Sequence, residues 1–171
     1  MKKIFIILIS IGMISFSCDT PDNSPTVIGF STGGNGERSD ITLESDVAEV
    51  WVEYLKAHND RDYAKISEMN SEDIEVWGPA GQYIKGNEAH IEFLKEWVAA
   101  TDVKWTPQWF INNTGENTDT GQVNDYVTSG HQMTFTIDGE ETIFYQVHDA
   151  VISDGKIINF NVYEQQRAVS E

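Results

Sequence analysis

The chain has 171 residues, a net charge of −17 and 40% hydrophobic residues, five of them tryptophans. No basic stripe exists to neutralise phosphates, which argues against nucleic-acid binding, and the acidity repels anionic lipid headgroups. The apolar content suffices for a core, so the charge describes a solvated surface and not a disordered chain.

Along the chain, Lys2-Lys3 precedes an apolar run from Ile4 to Ile14 and then Ser15-Phe16-Ser17-Cys18. Positive charge, a short apolar segment and small residues in that order make an export signal. About eleven apolar residues are too few for a membrane span, which needs roughly 20. Cys18 is the only cysteine and cannot form an internal disulfide. It stands where a bacterial lipoprotein signal places its acylated cysteine, and the segment resembles such a signal. The expectation is a signal peptide over 1–17, lipidation at Cys18 and an exported protein held in the bacterial cell envelope by that anchor. Two or more lipid chains hold a protein firmly where one does not.

Residues 18–40 read as a flexible tether, rich in glycine and proline and poor in apolar residues. Val27-Ile28-Gly29-Phe30 is the exception and could add an edge strand. From about Thr42, Val47, Val50, Trp51, Tyr54 and Leu55 recur at helical spacing, up to His58-Asn59-Asp60. Asp62 caps a short helix over Tyr63 to Met69. Ile74 to Trp77 and Gln82-Tyr83-Ile84 flank Gly78-Pro79-Ala80-Gly81 as a hairpin. Asn87 caps a helix over Glu88 to Ala100. The period then becomes two, with strands expected at Lys104–Asn112, Gln122–Ile137, Thr142–Ser153 and Lys156–Gln165. Asp138-Gly139 and Asp154-Gly155 give hairpin turns between the last three. Helices followed by an antiparallel meander read as α+β over 41–167, with long strands curling around the helices.

In this order, Ala57-His58-Asn59-Asp60, Glu75-Val76-Trp77-Gly78-Pro79, Tyr83-Ile84-Lys85-Gly86 and Asp154-Gly155-Lys156-Ile157 followed by Val162-Tyr163 resemble the nuclear transport factor 2-like superfamily, specifically its SnoaL-like branch. The resemblance covers about Ile41 to Arg167. It implies a cone-shaped domain in which a curved antiparallel sheet wraps around three helices and encloses an apolar pocket. It also implies an aspartate or histidine as acid/base in the catalytic members, no cofactor, and frequent dimers. One fold hosts unrelated activities, so it does not choose among them.

Strand alternation nominates the ionisable groups. Asp125 and His131 share a face with Val123, Val127, Met133 and Phe135, while His148 and Asp149 lie on opposite faces of the next strand and either could point inward. An acid/base pair would come from Asp125, His131 and one of His148 or Asp149. Trp77, Tyr83 and Tyr163 would line the pocket, and Trp105 and Trp109, sharing a strand face with Pro107, would form an apolar ligand wall or a dimer face. A bulge in the long Gln122–Ile137 strand would instead shift its register and leave the polar groups at the rim. His58 and His90 read as surface or capping residues. No histidine spacing suits zinc, and no metal is expected.

Three functions follow. The first is a lipoprotein binding a small apolar molecule. The second is a cofactor-independent lyase, isomerase or hydrolase using Asp125 and His131. The third is a homodimer or partner-binding module whose pocket is vestigial.

Overall fold

The structure, a computed structural model, describes residues 24–32, 34, 36–43 and 45–167. The expected signal peptide and Cys18 lie outside the described residues. Three helices, α1 (Ala48–Asp60), α2 (Tyr63–Met69) and α3 (Asn87–Thr101), pack on one side of a single sheet. Its strands are β1 (Val27–Thr32), β2 (Arg38–Thr42), β3 (Asn70–Trp77), β4 (Tyr83–Lys85), β5 (Lys104–Glu116), β6 (Val123–Ile137), β7 (Glu140–Ser153) and β8 (Lys156–Gln165), in the order β1-β2-β5-β6-β7-β8-β3-β4. The expected α+β architecture is present. The sheet is mixed, because β3 runs parallel to β8 while the other neighbours are antiparallel.

Both aspartate–glycine turns form two-residue loops with positive φ at each position: 52° and 83° at Asp138 and Gly139, 51° and 71° at Asp154 and Gly155. This is the type I′ geometry that matches strand twist. Asp62 accepts from the Lys65 N–H as expected of an N-cap. Asn87, in contrast, is the first residue of α3 and not its cap. Its amide donates to the carbonyl and hydroxyl of Ser67 and ties α3 to α2.

The second half of the expected tether is a hairpin. β1 pairs with β2, and Ile41 and Thr42 of β2 pair with Gly115 and Thr114 of β5. Ile41 and Thr42 are β-branched and pair as a strand, so α1 begins at Ala48 and not near Thr42. β5 accordingly runs on to Glu116, beyond the expected end at Asn112.

The expected bulge in β6 does not occur; its register against β7 is unbroken from Asp125 to Ile137. The irregularity lies in β5, where Gln108 is the extra residue between Pro107 and Trp109. It turns Trp105 towards the helices and Trp109 away from them, so the two do not share a face. The core between sheet and helices holds Trp51, Ile66, Ile74, Val103, Val127, Met133, Ile152 and Ile157, all essentially inaccessible.

Candidate functional site

The helix-facing side of the sheet encloses a cavity of about 330 Å³. Trp51, Tyr54, Leu55 and His58 line it from α1, and His90, Phe93, Leu94 and Trp97 from α3. The sheet contributes Trp105, Phe135, Gln146, His148, Phe160 and Val162. Pro79, Ala80 and Gln82 of the β3–β4 turn and Glu164 of β8, all exposed, form the rim. Two backbone hydrogen bonds, Gly78 N–H to Gln82 O and Gly81 N–H to Gly78 O, hold that turn, with Gly81 at φ 83°.

All four histidines of the chain are buried. His58 is 7% exposed, His148 4%, and His90 and His131 1% each. They divide into a helix-side pair and a sheet-side pair. On the helix side, His58 donates Nδ1–H to the Tyr54 carbonyl at 2.8 Å. A carbonyl only accepts, so Nε2 of His58 carries the lone pair. The Asn87 amide is oriented by its donation to the Ser67 carbonyl, so its oxygen faces Asn70 and accepts from Asn70 Nδ2 at 2.9 Å. The same Nδ2 reaches His90 Nδ1 at 3.2 Å, which makes that nitrogen the acceptor and leaves the proton on Nε2. The Tyr54 hydroxyl completes the chain by donating to Asn70 Oδ1 at 2.5 Å.

On the sheet side, Gln146 Oε1 accepts from Trp105 Nε1 at 3.0 Å and from His148 Nε2 at 2.9 Å, while its amide donates to Glu164 at 2.8 Å. Trp105 has only a donor to offer, so the Gln146 oxygen is fixed and His148 carries its proton on Nε2. Ser129 joins Trp51 Nε1 (2.9 Å) to His131 Nε2 (2.8 Å). His131 and His148 face each other with ring centroids 4.4 Å apart, and neither Nδ1 has a partner among the described residues. Phe160 stands among these groups, 5.7 Å from His90 and 6.4 Å from His148 between centroids.

Burial sets the charge state. Desolvation lowers His58 to about 4, His90 to about 3 and His131 to about 4. It also lowers His148, whose two neighbouring histidines add to the effect. Among the described residues no Asp, Glu, Lys or Arg is fully buried to offset this. The histidines are therefore neutral at pH 7 and act as paired donors and acceptors in an apolar chamber. No cluster of three or more histidine, cysteine or acidic side chains suited to a metal ion occurs among the described residues.

Of the residues nominated from sequence, Trp105 and His148 line the cavity, and His131 lies directly behind His148. Asp125 shares the inward face with His131 but stands six residues along the strand, roughly 20 Å away. It is occupied at the sheet margin by the Thr114 hydroxyl at 2.6 Å. Asp149 points to the opposite face and accepts from Thr128 at 3.0 Å. The expected Asp125–His131 contact is therefore absent, and of His148 and Asp149 it is His148 that faces inward. Trp77, Tyr83, Trp109 and Tyr163 also lie on the outer face, between 36% and 58% exposed. Trp77 and Tyr83 pack there as a tilted pair with centroids 5.4 Å apart, and Glu75 accepts from both Tyr83 and Lys85. The sheet alternates faces at every residue, so inward Val76, Ile84 and Val162 force their neighbours outward.

His58 and His90 are the functional candidates that sequence reasoning placed elsewhere. The signal was present: His58 is four residues after Tyr54 and three after Leu55, and His90 is four before Leu94, so both continue the buried stripes of α1 and α3.

No family model matches the chain, and no curated protein matches it in sequence. Solved structures do match. An NTF2-like protein of unknown function from Burkholderia pseudomallei aligns with a TM-score of 0.58 at 16% identity, over 71% of this chain and 92% of that one. An LEH-like epoxide hydrolase of M. tuberculosis gives 0.57 at 12%, over 68% and 80%. TerC, co-crystallised with polyporic acid, gives 0.57 at 20%, over 71% and 92%. At these identities the likeness is one of fold, and the chain has the nuclear transport factor 2-like fold.

Proposed function

We propose that the domain, of the SnoaL-like kind, binds a small, neutral, largely apolar molecule in this cavity. The observation that carries the reading is an aromatic chamber of about 330 Å³ whose deeply buried ionisable groups, His58, His90, His148 and Tyr54, are all held neutral by burial. The volume lies at the small end of the roughly 300–1,000 Å³ common for ligand sites. A charged ligand would lose its hydration with no buried counter-charge to replace it. TerC, which has the same fold, was crystallised with polyporic acid, which supports a small organic ligand here.

Saturation-transfer NMR with small neutral aromatic probes tests this. Val162→Trp, which places an indole in the cavity, should abolish binding while leaving the circular dichroism spectrum intact. Binding that survives this filling would place the probe elsewhere and refute the reading.

The same proposal includes anchoring of the domain in the cell envelope through lipidated Cys18. The expected result is that Cys18→Ala is released from membranes with its fold and ligand unchanged; continued pelleting with membranes would contradict it. The likeness to an epoxide hydrolase favours a second reading, a cofactor-independent hydrolase, lyase or isomerase. Its Asp125–His131 version lacks the necessary contact, so turnover would have to use the cavity histidines. The outer-face aromatics Trp77, Tyr83, Trp109 and Tyr163 favour a homodimer, which sedimentation would reveal as twice the monomer mass.

A further inference from the structure

The two helix-side histidines present opposite hydrogen-bonding characters to the same space. His58 Nε2 is an acceptor because Nδ1–H is committed to the Tyr54 carbonyl. His90 Nε2–H is a donor because Nδ1 is committed to Asn70. A single residue organises both assignments: the Tyr54 carbonyl fixes His58, and the Tyr54 hydroxyl turns the Asn70 amide so that its nitrogen faces His90. Asn87 and Ser67 hold Asn70 from the other side. Neither Nε2 makes a hydrogen bond within the described residues, although both rings are more than nine-tenths buried and line the cavity. The ring centroids are 5.9 Å apart, so where the two Nε2 atoms turn towards each other they stand closer than this and one oxygen reaches both with ordinary hydrogen bonds of about 2.8 Å.

We propose that the cavity selects a ligand carrying a hydroxyl group (alcohol, phenol or enol) that donates to His58 Nε2 and accepts from His90 Nε2–H. This rests on the cavity being a ligand site. A hydroxyl satisfies both nitrogens through one atom. A ketone or ether oxygen can accept from His90 but leaves His58 unpaired, and a hydrocarbon leaves both unpaired. A carboxylate would accept at His90, repel the His58 lone pair and bring an unpaired charge into the chamber. An ammonium would do the reverse. The remaining walls, Trp51, Leu94, Trp97 and Phe160 among them, ask only for an apolar body.

The test compares 2-naphthol, 2-methoxynaphthalene and naphthalene by competition NMR on the full chain. The expected result is that 2-naphthol binds at least about tenfold more tightly than the other two. His58→Leu should remove that preference while naphthalene still binds, which also shows that the variant is folded. His90→Gln, which keeps an amide donor near the lost Nε2–H, should retain part of it. Long-range ¹H–¹⁵N spectra of the imidazoles give a second readout, with His58 expected as the Nδ1–H tautomer and His90 as the Nε2–H tautomer. Equal binding of all three probes, or a preference that survives His58→Leu, would overturn the hydroxyl assignment and leave the apolar site standing. Failure of every probe to bind would overturn the site and the assignment together.

Discussion

The backbone carbonyl of Tyr54 accepts the Nδ1–H of His58 at 2.8 Å, one helical turn along α1. That bond gives His58 one defined tautomer and leaves its Nε2 free, while burial keeps the ring neutral against the bond's own pull towards the protonated form. The other three histidines are held neutral by the same burial, and the first consequence is a dependence of stability on pH. The folded-state values lie below the ordinary value of 6.5, at about 4 for His58 and His131 and about 3 for His90. Each histidine therefore stabilises the fold fully above pH 6.5, and that contribution is lost as pH falls towards 4 and 3, because the unfolded chain takes up protons the folded one refuses. The loss is about 1 kcal/mol per pH unit per histidine once the window is entered. Relief of the −17 net charge alone would have the opposite sign and stabilise the chain on acidification. Urea titrations at pH 7.5 and 5 should show a lower midpoint at pH 5.

Gln146 joins Trp105, His148 and Glu164 with a single amide. Gln146→Leu leaves the Trp105 and His148 N–H groups buried without an acceptor. Each such group costs about 1–3 kcal/mol. The variant should lose at least about 2 kcal/mol in chemical denaturation.

Gly130 lies under the indole of Trp109 on the outer sheet face, and an added Cβ would clash with that ring. Gly130→Ala should cost about 1–2 kcal/mol by forcing the ring aside. In a Trp109→Ala background the same substitution should be close to neutral, and a double-mutant cycle reads the difference. An equal cost in both backgrounds would place the strain in the backbone instead.

Asp125 and Asp149 accept hydrogen bonds from Thr114 and Thr128, away from the cavity. Asp125→Asn and Asp149→Asn should leave probe affinity within twofold of the parent. His148→Phe, in contrast, should change it, because that ring lines the cavity wall. Parallel binding titrations decide this.

Much of the architecture is legible from the chain. The α1 stripe, the Asp62 cap, both aspartate–glycine turns and the strand order from β5 to β8 follow from spacing and turn chemistry. The site is less legible, for definite reasons. Alternation decided that His148 and Asp149 lie on opposite faces, but both faces of β7 carry apolar residues, so only the helices above Gln146 and His148 select the inward one. The extra Gln108 in β5 separates Trp105 from Trp109, and Pro107 beside it is the local signal of that bulge, since proline inside a sheet is confined to edges and bulges. The parallel pairing of β3 with β8 depends on contacts far apart in sequence. His58 and His90 were visible on their buried stripes, but a histidine beside Asn59-Asp60 or after Asn87-Glu88 reads as part of a polar helix end until its burial is seen.

The central claim is that the cavity holds neutral histidines prepared for an uncharged ligand. The most direct test follows the four histidine Cε1–H resonances by NMR from pH 8 to pH 5. All four should remain at neutral-imidazole positions throughout, with no inflection above pH 5. An inflection near pH 6.5 for His58 or His90 would mean a solvated, chargeable ring and would contradict the account.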